Sequence, residues 1–337
     1  MNKPTQPLWL IQFGIGLISL LLAFVVNAQK ADKQLDILVI ESYHTQNAWD
    51  ASYTRGLNKI LGDKYSLKYF PMDTKRLPQT QHIKKAQQAW QVYLDSKPKL
   101  VILGDDNALK YMGPMLAKTD TPVVYLGIND NPRYYIKKNR NTTGVLERPL
   151  LNRSIVELNK ITPLKNVLIL FDNSPSSKAV LERSLNAQRL LKRLDISINV
   201  MLIANYTNWQ QAVLSAKTEH YDAIIVGLYH TLVNKESEHV SENIVIQWTS
   251  KQTPLPLFSF WGFTVAADKA IGGYVIYGED QGEEAAKIVL EIFNGTAPVN
   301  IFPRTALDGH LLFSQSQLNK WSLTLPESMN KAATFVD

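Results

Sequence analysis

The run Val167-Leu-Ile-Leu-Phe171 is apolar at every position, and Asp172-Asn-Ser-Pro-Ser-Ser177 follows it directly. A strand with two apolar faces needs cover on both sides, which is the situation of a strand inside a parallel sheet. Ser174, Ser176 and Ser177 supply capping hydroxyls around Pro175, a residue suited to the first turn of a helix. The stretch therefore predicts a strand handing over to a helix. Its turn lies at the carboxyl end of the strand, where ligands settle in open α/β sheets. The helix predicted over 177–194 carries Val180, Leu181, Leu185, Leu190, Leu191 and Leu194 largely on one side and Arg183, Asn186, Arg189 and Arg193 on the other, a core-packing stripe.

The same rhythm extends both ways. Before it, strands are expected at 36–40, 66–70, 100–103 and 122–126, with helices at 51–61, 81–94 and 107–116 between them. Around it come a helix at 150–161, strands at 196–203, 223–226 and 256–260, and helices at 209–218 and 238–250. Alternating strands and amphipathic helices indicate doubly wound α/β lobes, two of them for this length. After Phe260 the pattern changes: glycines Gly272, Gly273 and Gly278 flank a strand Tyr274–Tyr277, and 280–294 reads as an amphipathic helix stopped by Asn294-Gly295. A strand at 310–313, a short helix at 314–321 and an irregular tail complete the reading.

The chain of 337 residues has no cysteine, which rules out disulfides, thiol chemistry and lipid attachment at a lipobox. Residues 1–28 read as an export signal: Lys3, an apolar run from Leu8 to Val26, and Val26-Asn27-Ala28 before a polar stretch, with cleavage expected after Ala28. The rival reading is an uncleaved inner-membrane anchor, since the run is near the roughly 20 apolar residues that span a bilayer. Either way the expected location is the periplasm. The net charge of +6 is scattered, and the densest patch, Lys137, Lys138 and Arg140, reads as a solvated loop, so no nucleic-acid partner is expected.

No zinc motif, nucleophile elbow, phosphate-binding loop or dinucleotide fingerprint occurs, so neither an enzyme, a metal nor a cofactor is expected. His44, His82, His220, His230, His239 and His310 show no metal-ligand spacing and read as surface or loop residues. An exported hydrolase, resting on Asp105 or His230, lacks the nucleophile and base it would need.

The order Asn141-Thr-Thr-Gly-Val145, Val167–Ser177 and Gly273-Tyr-Val-Ile-Tyr-Gly-Glu-Asp-Gln-Gly-Glu-Glu-Ala-Ala-Lys287, closed by Asn294-Gly295, resembles the periplasmic ABC-transporter substrate-binding proteins of type I periplasmic-binding-protein fold. The resemblance implies two Rossmann-like lobes joined by three crossovers around a ligand cleft. Lobe one would be 35–147 with 262–295, and lobe two 148–261 with 296–337. The hinge would lie near 145–149, 260–262 and 296–300. The tail Leu312–Trp321 with Leu325-Pro-Glu-Ser328 is also similar to extracytoplasmic sensor domains of histidine kinases and diguanylate cyclases, although Ser314-Gln315 stands where an Asp is expected.

In such a fold the loops after parallel strands converge on the cleft. They offer Ser42, Tyr43 and Trp49, then Asp105 and Asp106, then Asn129 and Asp130 from the first lobe. The second offers Asn173, Ser174 and Ser177, then Tyr229 and His230, then Trp261. Aromatic faces with a few acids, amides and hydroxyls suit a small organic ligand, an amino acid or other amine. Helix-start amides near Ser42 and Ser177 could receive a carboxylate or phosphate. Against this, Trp49 and Trp261 equally suit lobe interiors, and Asp106, Asp130 and Asp172 suit capping. The expectation is a monomeric solute-binding protein whose lobes close on its ligand and deliver it to an ABC permease. The alternative is a sensing module that works with a membrane kinase or cyclase.

Overall fold

The computed structural model describes residues 35–137, 140–184, 189–306 and 309–337. The expected signal at 1–28, Lys138 of the basic patch, and Leu185 and Asn186 of the helix predicted over 177–194 lie outside them. Helices Pro175–Ser184 and Arg189–Arg193 occupy the described parts of that prediction.

Two parallel sheets form, each covered by helices, and the architecture is that of a two-lobed type I periplasmic binding protein. In the first lobe β1 (Ile37–Glu41), β2 (Leu67–Pro71), β3 (Leu100–Gly104), β4 (Val123–Ile128) and β5 (Thr142–Leu146) run parallel in the order β5-β4-β3-β1-β2. The residues of β1, β3 and β4 are all buried, as their apolar runs require, and the burial extends to Glu41 at the end of β1. In the second lobe β6 (Asn166–Asp172), β7 (Ser197–Ile203), β8 (Ala223–Val226) and β9 (Leu257–Ser259) run parallel in the order β7-β6-β8-β9. Both sheets point their carboxyl ends at the space between the lobes. The structure thereby brings together loops that are far apart in sequence.

The last third of the chain divides differently from the expected 262–295 and 296–337. Strand β10 (Gly272–Val275) belongs with the second lobe: the Ile271 N–H bonds the Leu257 carbonyl beside β9, and β10 pairs antiparallel with β12 (His310–Ser314). Helix Gly278–Phe293 then returns to the first lobe, where β11 (Arg304–Thr305) extends the sheet beside β5. Crossovers therefore follow Leu146, Val275 and Thr305. The tail is also more regular than expected. Helix Glu327–Ala332 leads into β13 (Thr334–Val336), which pairs parallel with β12, and Asp337 accepts from the Ser314 hydroxyl at 2.8 Å. A three-residue edge strand with mixed side chains gives little periodic signal, which is why the tail reads as irregular in the sequence.

Helix Gly278–Phe293 lies so close to helix Ala48–Leu61 that two glycines are required. A Cβ on Gly282 would fall on the Tyr53 carbonyl oxygen, and one on Gly56 would fall on the Glu279 carbonyl oxygen. This contact matters because Ala48–Leu61 carries Trp49 and Asp50 at its start, where Asn47 caps the Trp49 and Asp50 N–H groups. Gly282→Val is expected to lower stability by about 1–3 kcal/mol through overpacking. Urea denaturation of the variant beside the parent checks this, and an unchanged midpoint would contradict the close contact.

Candidate functional site

Strand ends of both sheets meet at an inner cavity of about 20 Å³ lined by Tyr43, Asn47, Trp49, Lys75, Asp105, Asn129 and Glu147 from the first lobe, and Leu228, His230, Trp261 and Phe263 from the second. A space of that size holds about one water, so an organic molecule needs the lobes to part before it is admitted. Outside it lies a vestibule of about 520 Å³, with Thr74, Asp106, Lys110, Tyr111, Asp130 and Tyr135 on one side and Asn173, Ser174, Ser176 and Thr231 on the other. Lys75 lines both spaces.

Asp105 is the centre of the inner wall. It opens the helix Asp105–Leu116 directly after β3 and has φ 72°, the left-handed region that a non-glycine residue occupies at a cost of about 1–3 kcal/mol. Gly127, with φ 68°, runs beside it: a Cβ there would be 3.2 Å from Asp105 Oδ2 and 3.3 Å from the Trp49 Nε1. The Tyr43 hydroxyl donates to Asp105 Oδ1 at 2.8 Å, whereas the buried Oδ2 has no hydrogen-bond partner. Glu147 follows β5 and is held from both lobes, by the Trp261 Nε1 at 2.8 Å and by the Asn129 amide at 3.0 Å. Asn129 Oδ1 is a second buried acceptor without a partner. The unspent groups of the cavity wall are thus these two acceptors, the Trp49 Nε1 donor and His230 Nδ1, framed by the rings of Tyr43, Trp49, Trp261 and Phe263.

The acids here are buried with little counter-charge. Burial pushes Asp105 up to about 7, reinforced by the charge of Asp106. Burial and the neighbouring Asp105 push Glu147 up to about 8. Behind them burial raises Glu41 to about 7 and raises Asp50, whose carboxylate accepts from the Tyr43 N–H at 3.1 Å. His230 moves the other way, down to about 3, through burial and the charge of Lys75. Desolvation penalises the charged form of each group.

Six of the residues expected at the site line the inner cavity: Tyr43, Trp49, Asp105, Asn129, His230 and Trp261. Asp106, Asp130, Asn173 and Ser174 line the vestibule. Asp106 caps no helix of its own; it accepts from the Asn129 and Asp130 N–H groups, both at 3.1 Å, and so fixes the loop after β4. Asp130 makes an ion pair with Arg183 across the cleft at 3.1 Å. Three residues stand behind the walls. The Ser42 hydroxyl donates to the Gly104 carbonyl and accepts from the Ala108 N–H. Ser177 is fully buried, and its hydroxyl donates to Asp172 at 2.5 Å. Tyr229 is buried against Trp209 and stacked on His230. Of the histidines expected in surface or loop positions, His44 and His230 stand in loops but are buried, and His82 is buried within helix Gln79–Ser96.

Glu147, Lys75, Phe263 and Asn47 are site residues that the sequence reading missed. Glu147 stands at the carboxyl end of a parallel strand, the rule that located the other acids, but the sequence reading takes Asn141–Val145 as a family motif and 145–149 as a hinge. Among the described residues no cluster of potential metal ligands occurs.

Residues 83–336 match the family described as ABC transporter substrate binding protein. Among solved structures, an ABC domain from Streptococcus pneumonia in complex with L-Trp is 16% identical with a TM-score of 0.66, covering 90% of this chain and 100% of its own. A conserved domain protein from Vibrio cholerae gives the same values. CD0873, a substrate-binding protein with adhesive properties from Clostridium difficile in its ligand-free, open form, is 13% identical with a TM-score of 0.63, covering 90% and 99%. At these identities the likeness is one of fold. No curated protein matches the sequence.

The raised acids predict a pH dependence of stability. A carboxyl whose pKa is higher folded than unfolded stabilises the fold while protonated and loses that contribution as pH rises through its folded pKa. Buried neutral histidines act oppositely, but only below their unfolded value of about 6.5. Between pH about 6.5 and 8.5 the carboxyls Asp105, Glu41 and Glu147 therefore dominate, and the melting temperature is expected to fall. The double variant Asp105→Asn, Glu147→Gln should flatten that slope in a thermal-melt series. An equal slope in both proteins would contradict the assignment.

Proposed function

Because the chain belongs to the family of ABC transporter substrate-binding proteins, we propose that it captures a small organic ammonium compound, an amino acid or amine, between its lobes and hands it to a membrane permease from the periplasm. The family is one of binding proteins, not of enzymes. The observation that carries the ligand class is the pair of buried, unpartnered acceptors, Asp105 Oδ2 and Asn129 Oδ1, beside the Glu147 carboxyl. An ammonium supplies N–H donors for such acceptors and the charge that buried carboxylates lack. A sugar would bring hydroxyls but no charge, and an inorganic anion would bring charge of the wrong sign to Asp105 and Glu147.

The aromatic walls suit the rest of the molecule. Trp49 and Phe263 meet edge to face across the lobes with centroids 6.4 Å apart, and Trp261 packs similarly on Phe171 at 6.2 Å. Rings presented from both lobes bury apolar surface only when the lobes are together, so ligand contact with both sides favours closure. The Asp130–Arg183 ion pair and the Trp261–Glu147 hydrogen bond are made in that same closed arrangement.

A thermal-shift screen of the chain against amino acids, amines, sugars and inorganic anions tests the reading. Ammonium compounds are expected to raise the melting temperature, since a ligand at 100 times its Kd stabilises by about 2.7 kcal/mol. Asp105→Asn, which keeps a side chain tolerant of the left-handed backbone, should weaken binding about ten- to a hundredfold. Responses confined to sugars or anions would overturn the proposal.

A further inference from the structure

Lys75 is the cation of the inner cavity. It stands shortly after β2, beyond Thr74, whose hydroxyl donates to the Ser42 carbonyl at 2.7 Å and anchors the loop. Its ammonium lies 4.4 Å from the centroid of the Tyr43 ring. Several acids surround the cleft, yet Lys75 makes no ion pair or hydrogen bond among the described residues. Asp105 and Asp172 feel its charge without being joined to it. Its position is as informative as its charge. The unspent acceptors of Asp105 and Asn129 belong to the inner cavity, whereas Lys75 lines both that cavity and the vestibule.

The walls therefore present acceptors at the inner end and a held cation at the boundary with the mouth, a dipolar arrangement. We infer that Lys75 binds an anionic group on the ligand and so makes the cleft selective for zwitterions, compounds that carry a carboxylate beside the ammonium, over plain amines. This rests on the ammonium reading above. A plain amine would bring a second positive charge towards the Lys75 ammonium inside a cleft of low dielectric, so repulsion acts against it. A zwitterion satisfies both ends. The cation–π contact with Tyr43 keeps the ammonium in place, and the Tyr43 hydroxyl in turn holds Asp105, so one side chain spaces the two charge-reading groups.

Matched pairs that differ by one carboxylate test this: tryptophan with tryptamine, tyrosine with tyramine, and histidine with histamine, titrated into the parent chain, Lys75→Met and Lys75→Arg. Methionine retains an apolar stem against Tyr43 without the charge, and arginine restores the charge. For a pair that binds, the parent should prefer the amino acid. Lys75→Met should weaken the amino acid about tenfold or more and bind the amine as well as or better than the parent does, while Lys75→Arg keeps the preference. Unchanged amino-acid affinity in Lys75→Met, or a parent that prefers the amine, would overturn the role of Lys75 and leave the ammonium reading standing. A parent that binds neither member of any pair would overturn both.

Discussion

Glu41, Asp50, Asp105, Asp106 and Glu147 are all buried around the carboxyl ends of the first lobe's strands. Charged carboxylates withdrawn from water are costly unless cations or hydrogen-bond donors meet them, and the groups otherwise keep their protons. Asp106 is met by two backbone N–H groups. Asp105 is met at one oxygen by the Tyr43 hydroxyl, and Glu147 by two neutral donors. The first lobe's strand ends therefore gather carboxyls with little counter-charge although the whole chain is basic, at +6. That local imbalance organises the rest of the cleft. Lys75 stands close to these acids, and its charge lowers the pKa of Asp105 against the effect of burial.

The two lobes share the work unequally. The first carries the acids, the amide and the lysine, on loops braced by the contact of helices Ala48–Leu61 and Gly278–Phe293. The second contributes mainly rings and a neutral histidine. Its own acid, Asp172, is occupied by Ser174, Ser177 and the Thr231 N–H, and burial, which alone would raise its pKa, is outweighed by these partners and by Lys75, which hold it low. At the inner cavity, acids and amides thus come from one lobe and mainly rings from the other, whereas both lobes give polar groups to the vestibule.

Most strands were legible in the sequence because a parallel strand buried on both faces leaves an unbroken apolar run, as at Leu100–Leu103 and Val167–Phe171. The strand-end rule then found Asp105, Asn129 and Trp261. It could not rank them. Ser174 and Ser177 have the same address as Asp105, but they are spent on a carboxylate in their own loop. Asp50 was missed because the helix was expected to begin at Ala51, one residue too late to bring that side chain inside it. Lys75 sits in a charged loop, where nothing in a linear sequence separates a solvated lysine from one resting on a tyrosine ring. The crossovers after Val275 and Thr305 depend on which lobe a short strand pairs with, and pairing of β10 and β11 is a tertiary property that local periodicity does not contain.

The most direct test of this account is a crystal structure of the chain bound to the tightest-binding ligand found for it. The account predicts a ligand nitrogen within about 2.7–3.2 Å of Asp105 Oδ2 and Asn129 Oδ1, between the rings of Trp49 and Trp261, with the lobes closed over it. A ligand seated in the cleft with no nitrogen near Asp105, or with an uncharged group against that carboxyl, would contradict it.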